Sequence, residues 1–225
     1  MTDSKSNLVK YEKWKPSAAG GELEESRTAA TGDFYKFAVG KNKLRFFPPM
    51  HGRKSPFAQV MQHFLELPGM TKAVSFNCPR AMAGKSCRVC KKVDDLRASG
   101  NPADYAMAGQ ILAKRRVYAV ALDRANPERG PIVLAFGKTI HEPLLALAAD
   151  EDAGADFTDP GADGFDVIVD RVGTKKNDTE YSVRLSTKKT PMSDDAAQVE
   201  AWLEMAPNLA RYLHVPSEDE LEKIL

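Results

Sequence analysis

His63-Phe-Leu-Glu-Leu-Pro-Gly-Met-Thr-Lys-Ala-Val-Ser-Phe-Asn-Cys78-Pro-Arg-Ala-Met-Ala-Gly-Lys-Ser-Cys87-Arg-Val-Cys90 is the stretch from which the rest of the chain is read. It holds all three cysteines of the 225 residues, within 13 consecutive positions, and its spacing is H-x14-C-x8-C-x2-C. The closing Cys87-Arg-Val-Cys90 has the two-residue spacing that turns both sulfurs of one turn toward one ion. Zinc suits such a set, because it has no geometric preference from its d electrons and accepts thiolate and imidazole together. His63, Cys78, Cys87 and Cys90 therefore read as a Cys3His site for one structural Zn2+, with four protein ligands and no open position for water.

Other chemistries fit the stretch less well. A disulfide leaves one cysteine over, and nothing marks a secreted chain. A redox Cys-x-x-Cys needs neither a third cysteine nor an upstream histidine. A zinc deaminase needs His-x-Glu before Pro-Cys-x-x-Cys, whereas Ser86 precedes Cys87 and no His-x-Glu occurs. His51 is a second upstream candidate ligand, but it sits in a Pro48-Pro-Met-His-Gly52 turn. His63 lies in a strand-like segment, residues 57–67, that would present it rigidly.

Around this stretch the composition is that of a soluble globular protein, 43% hydrophobic and 28% charged. No run of 18 apolar residues predicts a membrane span, and the first residues lack the apolar core of a signal peptide. A reducing, cytoplasmic compartment is expected. The net charge is only +1, but it is unevenly spread. Residues 193–225 carry 8 acidic and 2 basic side chains, so the remainder is net positive by 7. A basic body suggests a polyanionic partner.

Residues 1–32 are polar and predict a flexible arm in which Lys5, Lys10, Lys13 and Lys15 interleave with Tyr11 and Trp14. Residues 34–39 and 43–47 predict a hairpin around Gly40-Lys-Asn42. After the strand at 57–67, the cysteine stretch reads as an insertion, with helices over residues 88–98 and 103–113. Lys114-Arg-Arg-Val-Tyr-Ala-Val-Ala-Leu-Asp-Arg124 then alternates, with Tyr118, Val120 and Leu122 on one side and Val117, Ala119 and Ala121 on the other. It pairs in expectation with residues 131–136, and residues 137–147 predict a helix. An acidic loop over 150–164 precedes a last hairpin, residues 165–172 with 179–185. The C-terminal segment reads as helix over 196–213, interrupted near Pro207. Ser217-Glu-Asp-Glu220 then supplies a capping box for a final helix.

About seven strands without a βαβ rhythm predict a mainly β protein with α insertions (α+β), an antiparallel barrel carrying an inserted zinc subdomain and C-terminal helices. The expected organisation is an arm over 1–32, a core over 33–190 with the zinc subdomain at about 60–113, and an acidic helical segment over 191–225. No phosphate-cradling Gly-x-x-x-x-Gly-Lys and no arguable catalytic triad occur, so no enzymatic activity is expected.

Several segments taken in order resemble the single-stranded DNA-binding protein family of T-even-type tailed phages. They are Leu44-Arg-Phe-Phe-Pro48, the histidine strand leading to the three cysteines, Lys114-Arg-Arg before an aromatic strand, Phe136-Gly-Lys-Thr-Ile140 opening a helix, and Phe165-Asp-Val-Ile-Val-Asp-Arg-Val-Gly173 before a basic hairpin with Tyr181. The resemblance spans roughly residues 33–190. It implies an OB-fold core, zinc held by His63, Cys78, Cys87 and Cys90, and binding of single-stranded DNA with little sequence preference in phage replication, recombination and repair. It also implies that Lys114, Arg115, Arg116 and Tyr118 line the groove, with Tyr181 on the far hairpin. The chain departs from the family in its milder arm, Lys10-Tyr-Glu-Lys-Trp-Lys15, which bears on self-association along DNA. The family's acidic tail is represented only by residues 193–225.

A sequence-tolerant single-strand binder needs a basic groove and aromatic platforms, since every base has a π-face. Arg115, Arg116, Lys138, Lys175 and Lys176 are the candidate charges, and Tyr118, Phe136 and Tyr181 the candidate platforms. The acidic end is expected to compete with DNA for the groove or to dock replication or recombination proteins, so its deletion should tighten binding at low salt. Two rival functions remain open: a zinc-ribbon adaptor between proteins, and a zinc-dependent nucleic-acid enzyme, for which Glu66 is the only carboxylate close to His63 in sequence.

Overall fold

The computed structural model describes residues 13–16, 34–66, 73–150, 156–175 and 178–225. In chain order the elements are β1 (Gly40–Phe46), β2 (Ala58–Leu65), β3 (Val74–Asn77), α1 (Pro79–Ala83), α2 (Arg88–Ala98), α3 (Pro102–Ile111), β4 (Lys114–Asp123), β5 (Ile132–Phe136), α4 (Lys138–Ala149), β6 (Phe165–Val172), β7 (Glu180–Lys189), α5 (Ala196–Met205) and α6 (Glu218–Ile224). The strands form one antiparallel sheet of order β3-β2-β4-β1-β6-β7, with β5 also paired to β4.

β4 is the hub, because three strands pair with it. β2 pairs along Lys114 to Tyr118, β5 along Val117 to Ala121, and β1 along Ala121 to Asp123. Successive side chains of a strand point to opposite faces, and both faces of β4 are covered. Val117, Ala119 and Ala121 face an inner core with Phe46, Phe57, Phe136, Ile140, Leu144 and Phe157. Tyr118, Val120 and Leu122 face a second core completed by Val199, Trp202, Leu209 and Tyr212 from the C-terminal segment. Burying each large apolar side chain contributes about 1.5–3 kcal/mol, so the C-terminal segment is part of the folded body. Its deletion would therefore also strip Val199, Trp202, Leu209 and Tyr212 from that core. α4 packs against β4, β5 and β7, bridging two ends of the sheet.

The alternation read in residues 114–124, the hairpin with β5, the helices of the cysteine insertion and the final capping box are all present. Other expectations are corrected. Residues 34–39 are not a strand. The chain turns at Gly40 (φ 90°), and the buried Asn42 side chain takes over the bonding of a ladder. Its Oδ1 accepts from Ala38 N–H and Tyr35 O–H, and its Nδ2 donates to the carbonyls of Ala38, Gly40 and Val169. β3 lies within the stretch read as a loop and pairs with β2, placing Phe76 across from His63. The C-terminal helix stops at Met205, and a short 3₁₀ turn, Leu209–Tyr212, follows. Trp14 was read as part of a flexible arm. It is buried edge-to-face against Phe57, with centroids 5.4 Å apart. The remaining arm residues, 1–12 and 17–32, lie outside the described residues.

Candidate functional site

The four residues of the opening stretch meet. Their ligand atoms all lie within 4.8 Å of one another, and all four residues are buried. β2 presents His63, whose Nε2 is 3.5 Å from Cys87 Sγ and 3.4 Å from Cys90 Sγ. Cys78 Sγ is 3.3 Å from Cys90 Sγ. His63 Nδ1 is 2.7 Å from the Ile111 carbonyl. An Nδ1–H donated there fixes the tautomer whose Nε2 lone pair faces the sulfurs.

The helices are placed for the same purpose. Cys78 caps α1, accepting the Ala81 N–H at 3.4 Å, and Cys87 occupies the N-cap position of α2 without a side-chain capping bond. Helix N-termini carry partial positive charge that favours thiolate. Burial, followed by the neighbouring Cys78 and Cys87, pushes the Cys90 thiol up to about 12. Sulfurs packed this tightly lose their protons together only around a cation, so the donor set fits a thiolate-binding metal ion. Arg80 interacts electrostatically with Cys90 and Cys78 while pairing with Asp94 at 2.6 Å. His51, the alternative ligand, lies elsewhere, with Nε2 2.8 Å from the Ala206 carbonyl.

A cleft of about 420 Å³ runs over the sheet beside this cluster. Its floor is Gln62 and Phe64 of β2, Ser75, Phe76 and Asn77 of β3, and Arg116 and Tyr118 of β4. Phe34 stands on one side, and Arg211, Tyr212, His214, Glu220 and Lys223 line the C-terminal wall. Tyr118 and Tyr212 stack with centroids 4.5 Å apart and planes at 16°, and Phe34 tilts against both at 5.5 Å. The Arg211 guanidinium lies 5.5 Å from the Tyr212 ring centroid. Gln62 Nε2 donates to Tyr118 Oη at 3.4 Å.

The cluster and the cleft share a wall. The His63 and Phe76 rings lie 5.3 Å apart. Asn77, the residue before Cys78, donates from Nδ2 to the carbonyls of Tyr212 and His214 at 2.8 and 2.7 Å. On α6, Leu221 packs beside Cys78, Cys87 and Cys90, while Glu220 and Lys223 face the cleft.

The structure divides the expected groove residues. Arg116 and Tyr118 line the cleft, and Lys114 shares their face of β4 by parity. Burial pulls the Arg116 guanidinium below its ordinary pKa, while the Tyr118 and Tyr181 phenols act in the opposite sense. Tyr181, half-buried against Phe37 at 5.7 Å, is thus within electrostatic reach of Arg116. Arg115 points to the other face, 3.8 Å from Glu142, and Lys138 is exposed on the first turn of α4. Lys175 is exposed in the β6–β7 turn, and Lys176 lies outside the described residues.

Phe136 is a correction. It pairs across from Val117, so it shares the inner face and is only 3% exposed, with its centroid 6.3 Å from Phe57. It is core and offers no face to a base. Tyr118 is also nearly closed, at 4% exposure, with one ring face on Tyr212. Phe34, Phe64, Arg211, Tyr212, His214 and Lys223 were missed as site residues. The adjacent Arg211-Tyr212 pair was a usable signal, masked by the acidic character of the segment around it.

A comparison with models of protein families matches residues 38–224 to the family described as "gp32 DNA binding protein like". The chain belongs to this family. The match covers the His63, Cys78, Cys87 and Cys90 cluster, all of the cleft lining except Phe34, and both C-terminal helices, so the wall contributed by residues 211–223 lies within the gp32-like unit. A search of curated proteins finds no match. No helix among the described residues is long and apolar enough to cross a membrane.

Proposed function

We propose that this gp32-like chain binds single-stranded DNA in the cleft over β2, β3 and β4, without catalysis, and uses a structural zinc ion to hold that cleft in shape. The observation that carries the reading is the convergence of Arg116, Arg211 and Lys223 with Phe34, Phe64, Tyr118 and Tyr212 around one cleft in a member of a DNA-binding family. Cations neutralise phosphates, and aromatic rings engage bases that are free of a partner strand. Bases in a duplex are stacked on one another and do not reach such rings. Lys114 on the same face, and Tyr181 near Arg116, extend the tract beyond the cleft. The antiparallel order around β4, with α4 bridging β5 and β7, supports an OB-type barrel as the core. Coating of unpaired DNA during replication, recombination and repair follows from sequence-tolerant binding of this kind.

His63, Cys78, Cys87 and Cys90 would hold the zinc. It would supply a cross-link between β2 and the helices of the insertion, in a cluster that leaves no position for a reacting water. The test is a salt titration of binding to a homopolymer single strand and to a duplex of equal length. The single strand should bind more tightly, with affinity falling by about 0.7 log units per log unit of salt for each phosphate neutralised. Arg116→Ala and Arg211→Ala should each reduce that slope by about 0.7. Equal affinity for both forms, or binding indifferent to salt, would refute the reading.

A further inference from the structure

Phe64 stands apart from every other aromatic side chain of the cleft. Phe34, Tyr118 and Tyr212 lie against one another, and Phe76 lies against His63. Each of those rings is already partly covered by another. Phe64 is half-buried, lines the cleft, joins none of the apolar clusters and makes no ring–ring contact among the described residues. A half-buried phenylalanine outside those clusters keeps a ring face available to a molecule in the cleft.

The local geometry turns it toward the cleft. Side chains alternate along β2, and His63 is committed to the cysteine cluster on one face. Phe64 is therefore directed to the opposite face, beside Gln62. Its cross-strand partner is Ser75, a small exposed residue whose short side chain adds little cover to the ring. Gln62 and Asn77 form the next pair on the same face, two residues along the same two strands.

We propose that Phe64 is the principal base-stacking platform of the cleft, and that Tyr118, to which the sequence pattern points, serves instead as part of its closed aromatic wall. A base laid on Phe64 shares the cleft with the Gln62 amide, while the Asn77 amide ties the wall to the floor and the cations around it neutralise the backbone. This rests on the proposed single-strand binding, and the experiment separates the two.

Binding of a fluorescent oligo-dT is measured at several salt concentrations for the wild type and for Phe64→Leu, Phe64→Ala and Phe64→Trp, with metal content and melting temperature recorded for each. Stacking requires a π-face, so Phe64→Leu should weaken binding about tenfold with an unchanged salt slope. Phe64→Trp should bind at the wild-type level or tighter, and its emission should fall on adding oligo-dT relative to the wild type, whose Trp14 and Trp202 are buried. Wild-type affinity in Phe64→Leu, or no quenching in Phe64→Trp, overturns the assignment while leaving single-strand binding in place. Weakened binding of Phe64→Leu that is accompanied by lost metal also overturns it, because the residue would then act through the cysteine cluster. A wild type with no preference for single over double strands sinks the cleft reading itself. Should Phe64→Ala fail to fold, the leucine and tryptophan variants still decide.

Discussion

The insertion between β2 and β4 and the approach to β6 both have to be fastened to the sheet, and they are fastened by different means. In the insertion, three sulfurs and an imidazole converge where the apolar support is thin: one small cluster around Leu65, Phe76, Val89 and Leu221, and another of Val93, Leu96 and Ala108. At β6, the buried Asp166 carboxylate receives Arg45 Nε and Arg124 Nε at 2.9 Å each and Lys43 Nζ at 3.0 Å. Arg45 goes on to Thr190 Oγ1 and the Asp159 carbonyl, and Arg124 to the carbonyls of Pro191 and Met192. Arg45 and Asp166 are fully buried at its centre, on strands whose neighbouring residues Leu44, Phe46, Val167 and Val169 belong to the inner core. A thin module depends on its cross-link to fold, whereas an ionic network inside a thick core chiefly selects one arrangement of a fold that is otherwise supported.

Metal removal should break the comparison most sharply. Chelation, or Cys87→Ser, should lower the melting temperature by about 10 °C or more, since structural zinc contributes on the order of 10 kcal/mol in small modules. Hydrogen exchange should rise over residues 73–111 and stay unchanged in β6. An unaltered melting temperature after confirmed metal loss would remove the distinction. Asp166→Asn comes next, at about 3–5 kcal/mol, because it leaves buried guanidinium groups without their anion. Here exchange should rise in β1 and β6 while the metal is retained.

Acid should act on the core side of the comparison as well. Burial raises the Asp166 pKa, but Lys43, Arg45 and Arg124 outweigh burial and hold it below its ordinary 3.8. Its stabilisation is present above that value and lost as pH falls through the lower folded one. His141 titrates earlier. Burial, aided by Arg115, takes it from 6.5 to about 4, and neither ring nitrogen has a hydrogen-bond partner among the described residues. Its contribution is complete above 6.5 and lost between there and about 4. Urea melts across that window should show a shallower loss of stability for His141→Leu than for the wild type. The smallest effect belongs to Ser217→Ala, which removes the cap of α6 and should cost about 1 kcal/mol. If α6 couples the two sites, the same variant should slightly weaken both metal retention and oligonucleotide binding.

The two fastenings also differ in how visible they are in sequence. Cysteine is scarce and its spacing is chemically constrained, so the buried cluster of Cys78, Cys87, Cys90 and His63 could be read directly from the sequence. Asp166, Arg45 and Arg124 are common residue types brought together from β6, β1 and the turn after β4, and no local pattern announces them. The same holds at the cleft. Arg116 and Tyr118 were legible because they sit on one alternating strand. Arg211 and Tyr212 were not, because their position depends on a C-terminal segment folding back over β4. Parity also explains the error at Phe136: an aromatic following a basic strand has no outward face when the register pairs it with Val117.

The cleft is assembled from distant parts of the chain, and this has a consequence during synthesis. Its floor leaves the ribosome with β2, β3 and β4, while Arg211, Tyr212 and α6 emerge long afterwards, at about 5–20 residues per second. A nascent chain therefore carries only the floor of the cleft, and the wall is added last, when the Tyr212 and His214 carbonyls reach Asn77.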